Sequence, residues 1–328
     1  MGILRRYEKG QEMSKLGGAI LIEPGNWARL GALSAAAEEA GWDYLLCAEG
    51  PFAGWANSIV GSAVMAENTE RMTVGTCISI VDYRHAWAAA AAAGNLRERT
   101  GDRYVMGFGV SHPAINGPLG IVIDKPLAAT RRYVADIRRF ADTMPWGQPE
   151  IWLAAVLEPM VRLAAGIADG VILHHVPLRL IPRTIAVIEE EAAKAGRPRP
   201  KIISYARIAL HEDIEESRRL GREVTLAFYR FPIYQKLFRQ AGFVAETDAV
   251  VAALERDDDE AALAAITDEL LDDYILLGDG DRCRAKLAEF EATGMDVLLF
   301  APLPIHGAPL EPRFLPLFEE FRVERAAG

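Results

Sequence analysis

Cysteine is scarce in this chain of 328 residues: Cys47, Cys77 and Cys283 stand far apart and form no C-x-x-C pair. That spacing argues against a disulfide framework or a zinc cluster and suits a reducing cytoplasm. Positive charge is also short, with 36 Lys and Arg against 46 Asp and Glu for a net charge of −10. A broad basic face for nucleic acid or anionic lipid is therefore not expected, and a small-molecule partner is. No apolar run reaches the roughly 18 residues that a membrane span requires, and the polar, mixed-charge start is not expected to export or anchor the chain. Low-complexity tracts are missing too, and a 51% apolar, 25% charged composition is that of an ordinary globular protein.

What is present is a rhythm. From Gly18 onward, short apolar runs alternate with longer amphipathic stretches, as βα units on a parallel sheet do. Strands are predicted at residues 18–23, 43–49, 72–79, 103–111, 151–156, 170–174, 202–210 and 295–301. Helices are predicted between them at 27–40, 57–68, about 85–99, 126–141, 159–168, about 178–195 and 279–293, with a closing helix at 314–324. Gly41 and Gly196 suit helix ends, Asn57 suits a cap, and Pro126 suits a first turn. After the seventh strand the alternation lapses, and residues 212–278 read as successive helices with no new strand pattern, broken at Arg230, Phe231 and Pro232. Eight strands over about 300 residues is the count of a (β/α)8 TIM barrel, whereas a doubly wound sheet would usually stop at five or six. The organisation expected is an N-terminal extension, 1–17, and a single barrel domain, 18–328, with a helical insertion at about 212–278.

In such a barrel the chemistry sits where the strands end. The residues so placed are Glu49, Cys77 to Asp82, Gly109 to His112, Ala155 to Glu158, His174, His175, Tyr205, Arg207 and Pro302 to His306. A Schiff-base aldolase needs a lysine there, but the lysine of a predicted strand, Lys201, stands where its strand begins. A metal-dependent hydrolase needs converging ligands, and the first strand ends in Ile22, Glu23 and Pro24 without a His-x-His pair. A retaining glycosidase needs two carboxylates, and the pair on offer is Glu49 with Glu158, the latter at the start of a helix. What remains is a wall of small and apolar residues: Gly107, Gly109, Val110, Ala154, Ala155, Val156 and Leu157. It leaves a dry slot suited to a flat redox coenzyme, because hydride transfer needs positioning and exclusion of water more than charged catalysts.

Three segments carry a resemblance to a known family: LRERTGDRYVMGFGVS from Leu96 to Ser111, LAAGIADGV from Leu163 to Val171, and the stretch from Asp268 through Gly278 to Gly294. In order and spacing they resemble the luciferase-like monooxygenase superfamily, and within it the branch that uses the deazaflavin coenzyme F420. The resemblance implies a bulged third strand with a non-prolyl cis peptide at Cys77 and Ile78, behind the deazaflavin ring. It implies that Gly109, Val110 and Ser111 form a turn close to the coenzyme, and that Ala155, Val156 and Leu157 meet its ribityl-phosphate tail. Leu157 and Glu158 stand where many relatives have Gly-Pro, a departure at the phosphate contact. Glu49 matches the acidic position ending the second strand, whereas Gly50 replaces the catalytic histidine of the sugar-phosphate dehydrogenase branch, which disfavours that substrate.

His174 ends the sixth strand and is placed to donate a proton or contact substrate, since histidine titrates near neutrality. Adjacent on a strand, His174 and His175 should point to opposite faces and hold no metal together. The insertion carries Phe228, Tyr229, Phe231, Tyr234 and Phe238, which the resemblance places near the substrate mouth and helix packing would equally explain. The alanine-rich helices after the second and third strands correspond to the dimer face of relatives, so a homodimer is expected. The resulting expectation is an oxidoreductase with catalytic Glu49 and His174, transferring a hydride between F420 and a small organic substrate. The alternatives are an FMN-dependent monooxygenase of the same fold and, in another class, a non-catalytic protein that binds a coenzyme or ligand.

Overall fold

A computed structural model describes residues 14–50, 56–304 and 307–324 together with the backbone of Arg5–Arg6; Ile305 and His306, at the end of the predicted site list, lie outside the described residues. The eight predicted strands are present as β1 (Lys15–Ile20), β2 (Tyr44–Cys47), β3 (Thr73–Ile80), β4 (Tyr104–Gly109), β5 (Glu150–Ala155), β6 (Gly170–His174), β7 (Lys201–Leu210) and β8 (Val297–Pro302). Neighbours pair in sequence order, all parallel, and the ring closes where β8 pairs with both β7 and β1. The chain is a closed (β/α)8 barrel.

Period-two alternation sorts the side chains of each strand. Leu46, Val105, Trp152, Ile172, Ile203 and Leu299 fill the barrel interior, whereas Leu45, Met106, Leu153, Leu173, Ile202 and Leu298 pack outward against the ring of helices. Among the outer helices, Ser58–Glu67 starts at Asn57, whose side chain accepts from the backbone N–H groups of Ile59 and Val60. Helix Gly280–Ala292 starts at Asp279, which accepts from Arg282 N. Gly41 follows helix Leu30–Glu39 at φ +84°, and a Cβ there would strike the Val323 carbonyl.

One device recurs at the bottom of the barrel. Asp43, Asp169 and Asp296 each stand just before a strand, and each Oδ2 accepts a backbone N–H from the preceding strand of the ring: Leu16 at 3.3 Å, Ile151 at 2.9 Å and Ile202 at 2.7 Å. The backbone N–H of each aspartate donates in return to the carbonyl of that same residue, at 2.8 Å in all three cases. Arg138 and Arg197 grip Asp169, and Arg199 grips Asp296. These latches set the register in which β2, β6 and β8 join the sheet.

Several element ends differ from those predicted, the closing helix for example running Leu310–Glu320 in place of 314–324, and two differences bear on the architecture. The first strand begins at Lys15 and ends at Ile20, so the barrel takes in residues 15–17; Lys15 pairs with Val297, and residues 21–23 have already left the ladder. The insertion also contains a strand. Helices Ile214–Tyr229, Pro232–Gln240, Val244–Leu254, Asp259–Ala265 and Asp268–Asp272 are followed by Ile275–Gly278, parallel to the last residues of β7 from Arg207 to Leu210. Arg207 and Ile208 pair with β8 on their other side, so this accessory strand takes the edge of β7 that β6 vacates beyond Tyr205. Its four buried residues, ILLG, are too few to show a period of their own between helices. The insertion has its own core around Tyr229, Phe238, Leu270 and Leu271, continuous with Ala209 of β7.

Replacing Asp169 by Ala is expected to lower stability by about 2 kcal/mol, since it strands a backbone donor and two guanidinium groups. Urea denaturation would measure this; the substitution lies on the face remote from the strand ends and leaves ligand binding unchanged.

Candidate active site

The mouth of the barrel is built by the interior-facing residues at the strand ends: Cys77 and Ile78 of β3, Gly109 of β4, Ala154 of β5, His174 of β6, and Tyr205 and Arg207 of β7. The Cys77–Ile78 peptide is cis, and the pairing of β3 with β4 slips between Thr76 and Ser79. As a result two successive side chains both join the interior cluster, which regular alternation forbids. Gly109 lies under Ile78, and a Cβ there would overlap Ile78 Cδ1 and stand 3.3 Å from Ala154 Cβ. The wall is thus apolar but not bare, because Ile78 occupies the space that Gly109 leaves. Cys77 is buried, which pushes its thiol up to about 12 against the opposing positive charge of Arg207.

Glu49 braces this bulge. Its backbone N–H donates to Ile78 O at 3.1 Å, and its Oε2 accepts from Ser79 Oγ at 2.9 Å, Ile80 N at 3.1 Å and Arg84 Nη1 at 3.0 Å. Arg84 Nη2 binds the other oxygen, and the Glu49 side chain is only 6% exposed. A carboxylate so engaged holds a strand in place; the sequence pattern offered no sign of Arg84 as its partner.

The two histidines depart from expectation. His175 adopts φ +56°, in the left-handed region, so the strand ends at His174 and alternation ends with it. Their rings do not point to opposite faces: the centroids lie 4.2 Å apart within one aromatic cluster. His174 Nδ1 is 2.6 Å from Tyr234 Oη of the insertion. His175 Nε2 accepts from Arg207 Nε at 3.2 Å, which assigns the ring proton to Nδ1, and that buried Nδ1 has no partner. Burial and the positive charge of Arg207 push His174 down to about 3; burial, His174 and Arg207 hold His175 well below the usual histidine range. Both rings are neutral at physiological pH, so His174 offers one neutral N–H and no positive charge.

The insertion roofs this mouth. Phe228 lies 3.9 Å from His175, ring centroid to ring centroid, and Phe231 lies 4.3 Å from His112, the residue that caps the short helix Pro113–Asn116. Tyr229 and Phe238 instead pack on each other at 4.9 Å inside the insertion. The aromatic run therefore divides, with Phe228, Phe231 and Tyr234 over the mouth and Tyr229 and Phe238 in the core.

The remaining predicted residues spread out. Ala155 faces outward into the helical shell, because alternation makes Ala154 the inward residue of β5. Val156 and Leu157 pack against the insertion core, and Val156 lines a cleft of about 160 Å³ with Val176, Leu180 and Leu237. Ser111 turns at φ +58°, and Val110 O accepts from Asn116 Nδ2 at 3.0 Å. Among the described residues, no three His, Cys, Asp or Glu side chains converge as a metal site.

The luciferase-like monooxygenase family model matches residues 9–297. A protein of Mycobacterium tuberculosis provisionally named a coenzyme F420-dependent oxidoreductase is 27% identical over 322 residues, covering 81% of this chain and 88% of its own. A 5,10-methylenetetrahydromethanopterin reductase of Methanolobus tindarius is 24% identical over 272 residues, covering 76% of this chain and 81% of its own. Among solved structures, the F420-dependent tetrahydromethanopterin reductase of Methanopyrus kandleri superposes with a TM-score of 0.76 at 17% identity, over 94% of this chain and 100% of that one. The FMN complex of the oxygenating component of a Pseudomonas putida diketocamphane monooxygenase gives 0.67 at 19% identity, over 94% and 96%.

The neutral histidines set an acid limit on stability. Unfolded histidine takes up a proton below about pH 6.5, whereas these two resist it in the fold, so their contribution to stability is constant above that pH and falls, at a limiting slope of about 1.4 kcal/mol per pH unit for each ring, as pH drops below it. Urea unfolding between pH 7.5 and 5 should show this slope, and His174→Phe should reduce it.

Proposed function

The chain belongs to the luciferase-like monooxygenase family, and on that footing we propose that it transfers a hydride between coenzyme F420 and a small organic substrate held beneath the insertion. The family relatives are F420-dependent or flavin-dependent oxidoreductases and monooxygenases, so the class of enzyme is not in question. The observation that carries the finer reading is the bulge at Cys77 and Ile78, facing a neutral His174–Tyr234 pair across one mouth.

The residues present fit a flat ring. Cys77 and Ile78 give it an apolar backing, and Gly109, Val110 and Ser111 flank it where the chain turns out of β4. A bound deazaflavin would supply a two-electron hydride acceptor or donor there. Glu49 and Arg84 act as positioning residues that keep the bulge in shape. His174, held by the Tyr234 hydroxyl, presents its Nε2 to the substrate; where the phenol donates to Nδ1, the ring proton stands on Nε2 and can bind a carbonyl or alkoxide oxygen. Phe228 and Phe231 exclude water from above. Ala155, Val156 and Leu157 would reach the coenzyme tail through backbone more than through side chains, which face the helical shell and the insertion.

Fluorescence titration of the purified protein with F420 and, separately, with FMN tests the coenzyme. F420 is expected to bind at least tenfold more tightly, and His174→Ala to keep that affinity while turnover falls about a hundredfold, within the range a positioned proton-transfer group contributes. Oxygen consumption with FMN and a flavin reductase, with no F420 binding, would replace this reading by the monooxygenase one.

The protein is further proposed to act as a cytoplasmic homodimer. Helices Ser58–Glu67 and Ala86–Thr100 each leave a large apolar side chain in solvent, Val60 at 51% and Trp87 at 53%. Among the described residues no helix is long and apolar enough to cross a membrane. Size-exclusion chromatography is expected to show a dimer that Val60→Ser with Trp87→Ser converts to monomer.

A further inference from the structure

Arg207 is a buried cation without a counter-ion. Its residue is 7% exposed, and β7 turns it inward after Ile203 and Tyr205. The guanidinium lies 5.0 Å from the Tyr205 ring centroid and 5.7 Å from that of Phe228, and its Nε donates to a neutral imidazole, His175 Nε2, at 3.2 Å. Other well-buried guanidinium groups of the chain have a carboxylate: Arg84 has Glu49, and Arg313 has Glu23 at 3.9 Å. Among the described residues no carboxylate lies within ion-pair distance of Arg207. Its charge nevertheless acts on Cys77 of the bulge and on Tyr234 of the roof.

Burying a guanidinium among aromatic rings and a neutral imidazole is costly unless an anion completes the site. The aromatic contacts do not supply one, and a guanidinium edge matches a carboxylate in two parallel hydrogen bonds. We infer that Arg207 receives the carboxylate, or an equivalent planar oxyanion, of the substrate, so that this enzyme acts on small organic acids rather than on neutral alcohols or ketones. The inference rests on the proposed active site and deepens it: the coenzyme wall is assigned to β3, β4 and β5, whereas Arg207 stands on β7 beneath Phe228, on the substrate's side. His175 is then a positioning residue that orients the guanidinium through Nε.

The test is calorimetric titration of the coenzyme-free protein at constant ionic strength with acetate and benzoate, each beside its neutral amide. At least one acid is expected to bind tenfold or more tightly than its amide. Arg207→Gln should abolish that preference and Arg207→Lys should keep part of it, with circular dichroism reporting the fold. Equal affinity for acid and amide in the unaltered protein overturns the inference, and this comparison needs no variant. If Arg207→Gln weakens F420 as much as it weakens the acid, the anion belongs to the coenzyme and the assignment to substrate falls. Failure of F420 to bind the unaltered protein would sink the proposed function alone, leaving the acid–amide comparison standing.

Discussion

Closing a parallel sheet on itself forces every strand to divide its side chains between a filled interior and a helical shell, and that division decides which residues can meet a ligand. Along β7 it sends Ile203, Tyr205 and Arg207 inward and Ile202, Ala206 and Ile208 outward. Along β5 it sends Trp152 and Ala154 inward and Ala155 outward. The interior is packed solid below by residues such as Trp152, Tyr44 and Leu299, so only the one or two inward residues at the end of each strand remain for chemistry. The two places where alternation is broken, the cis bulge of β3 and the left-handed His175, are the places where side chains crowd together at the mouth.

The electrostatics follow from the same enclosure. Withdrawn from water, imidazoles lose their protons and phenols keep theirs, so His174, His175, Tyr205 and Tyr234 form a neutral polar lining. Arg207 stands as the charge among them. A neutral lining with a single cation favours ligands that bring one negative group and otherwise bury carbon, and the aromatic roof suits that description.

Much of the architecture was legible in the amino-acid order. Alternation of apolar runs and amphipathic stretches located all eight barrel strands, β6 to the residue, and the resemblance placed the cis peptide at Cys77 and Ile78. What could not be read was contact between distant segments. Tyr234 meets His174 from 60 positions away, and Arg84 reaches Glu49 from 35. The resemblance set Ala155 at the coenzyme, but that its side chain faces the helical shell while Ala154 faces inward could not be read, since a strand boundary known only to within a residue leaves inward and outward undecided. His175 was assigned by regular strand geometry, and nothing in a His-His pair announces that the second will turn left-handed. Arg207 did leave a signal: an arginine two places beyond Tyr205, between the apolar neighbours Ala206 and Ile208, carries a charge onto the inward face.

The accessory strand Ile275–Gly278 has a consequence for how the roof behaves. The insertion departs from the tip of β7 and is stitched back onto the flank of that same tip, so both of its feet stand on one stave. A canopy anchored in this way cannot swing like a jaw without tearing its own ladder. It is better described as a fixed vestibule, whose inner shape is set by Phe228, Phe231 and Tyr234.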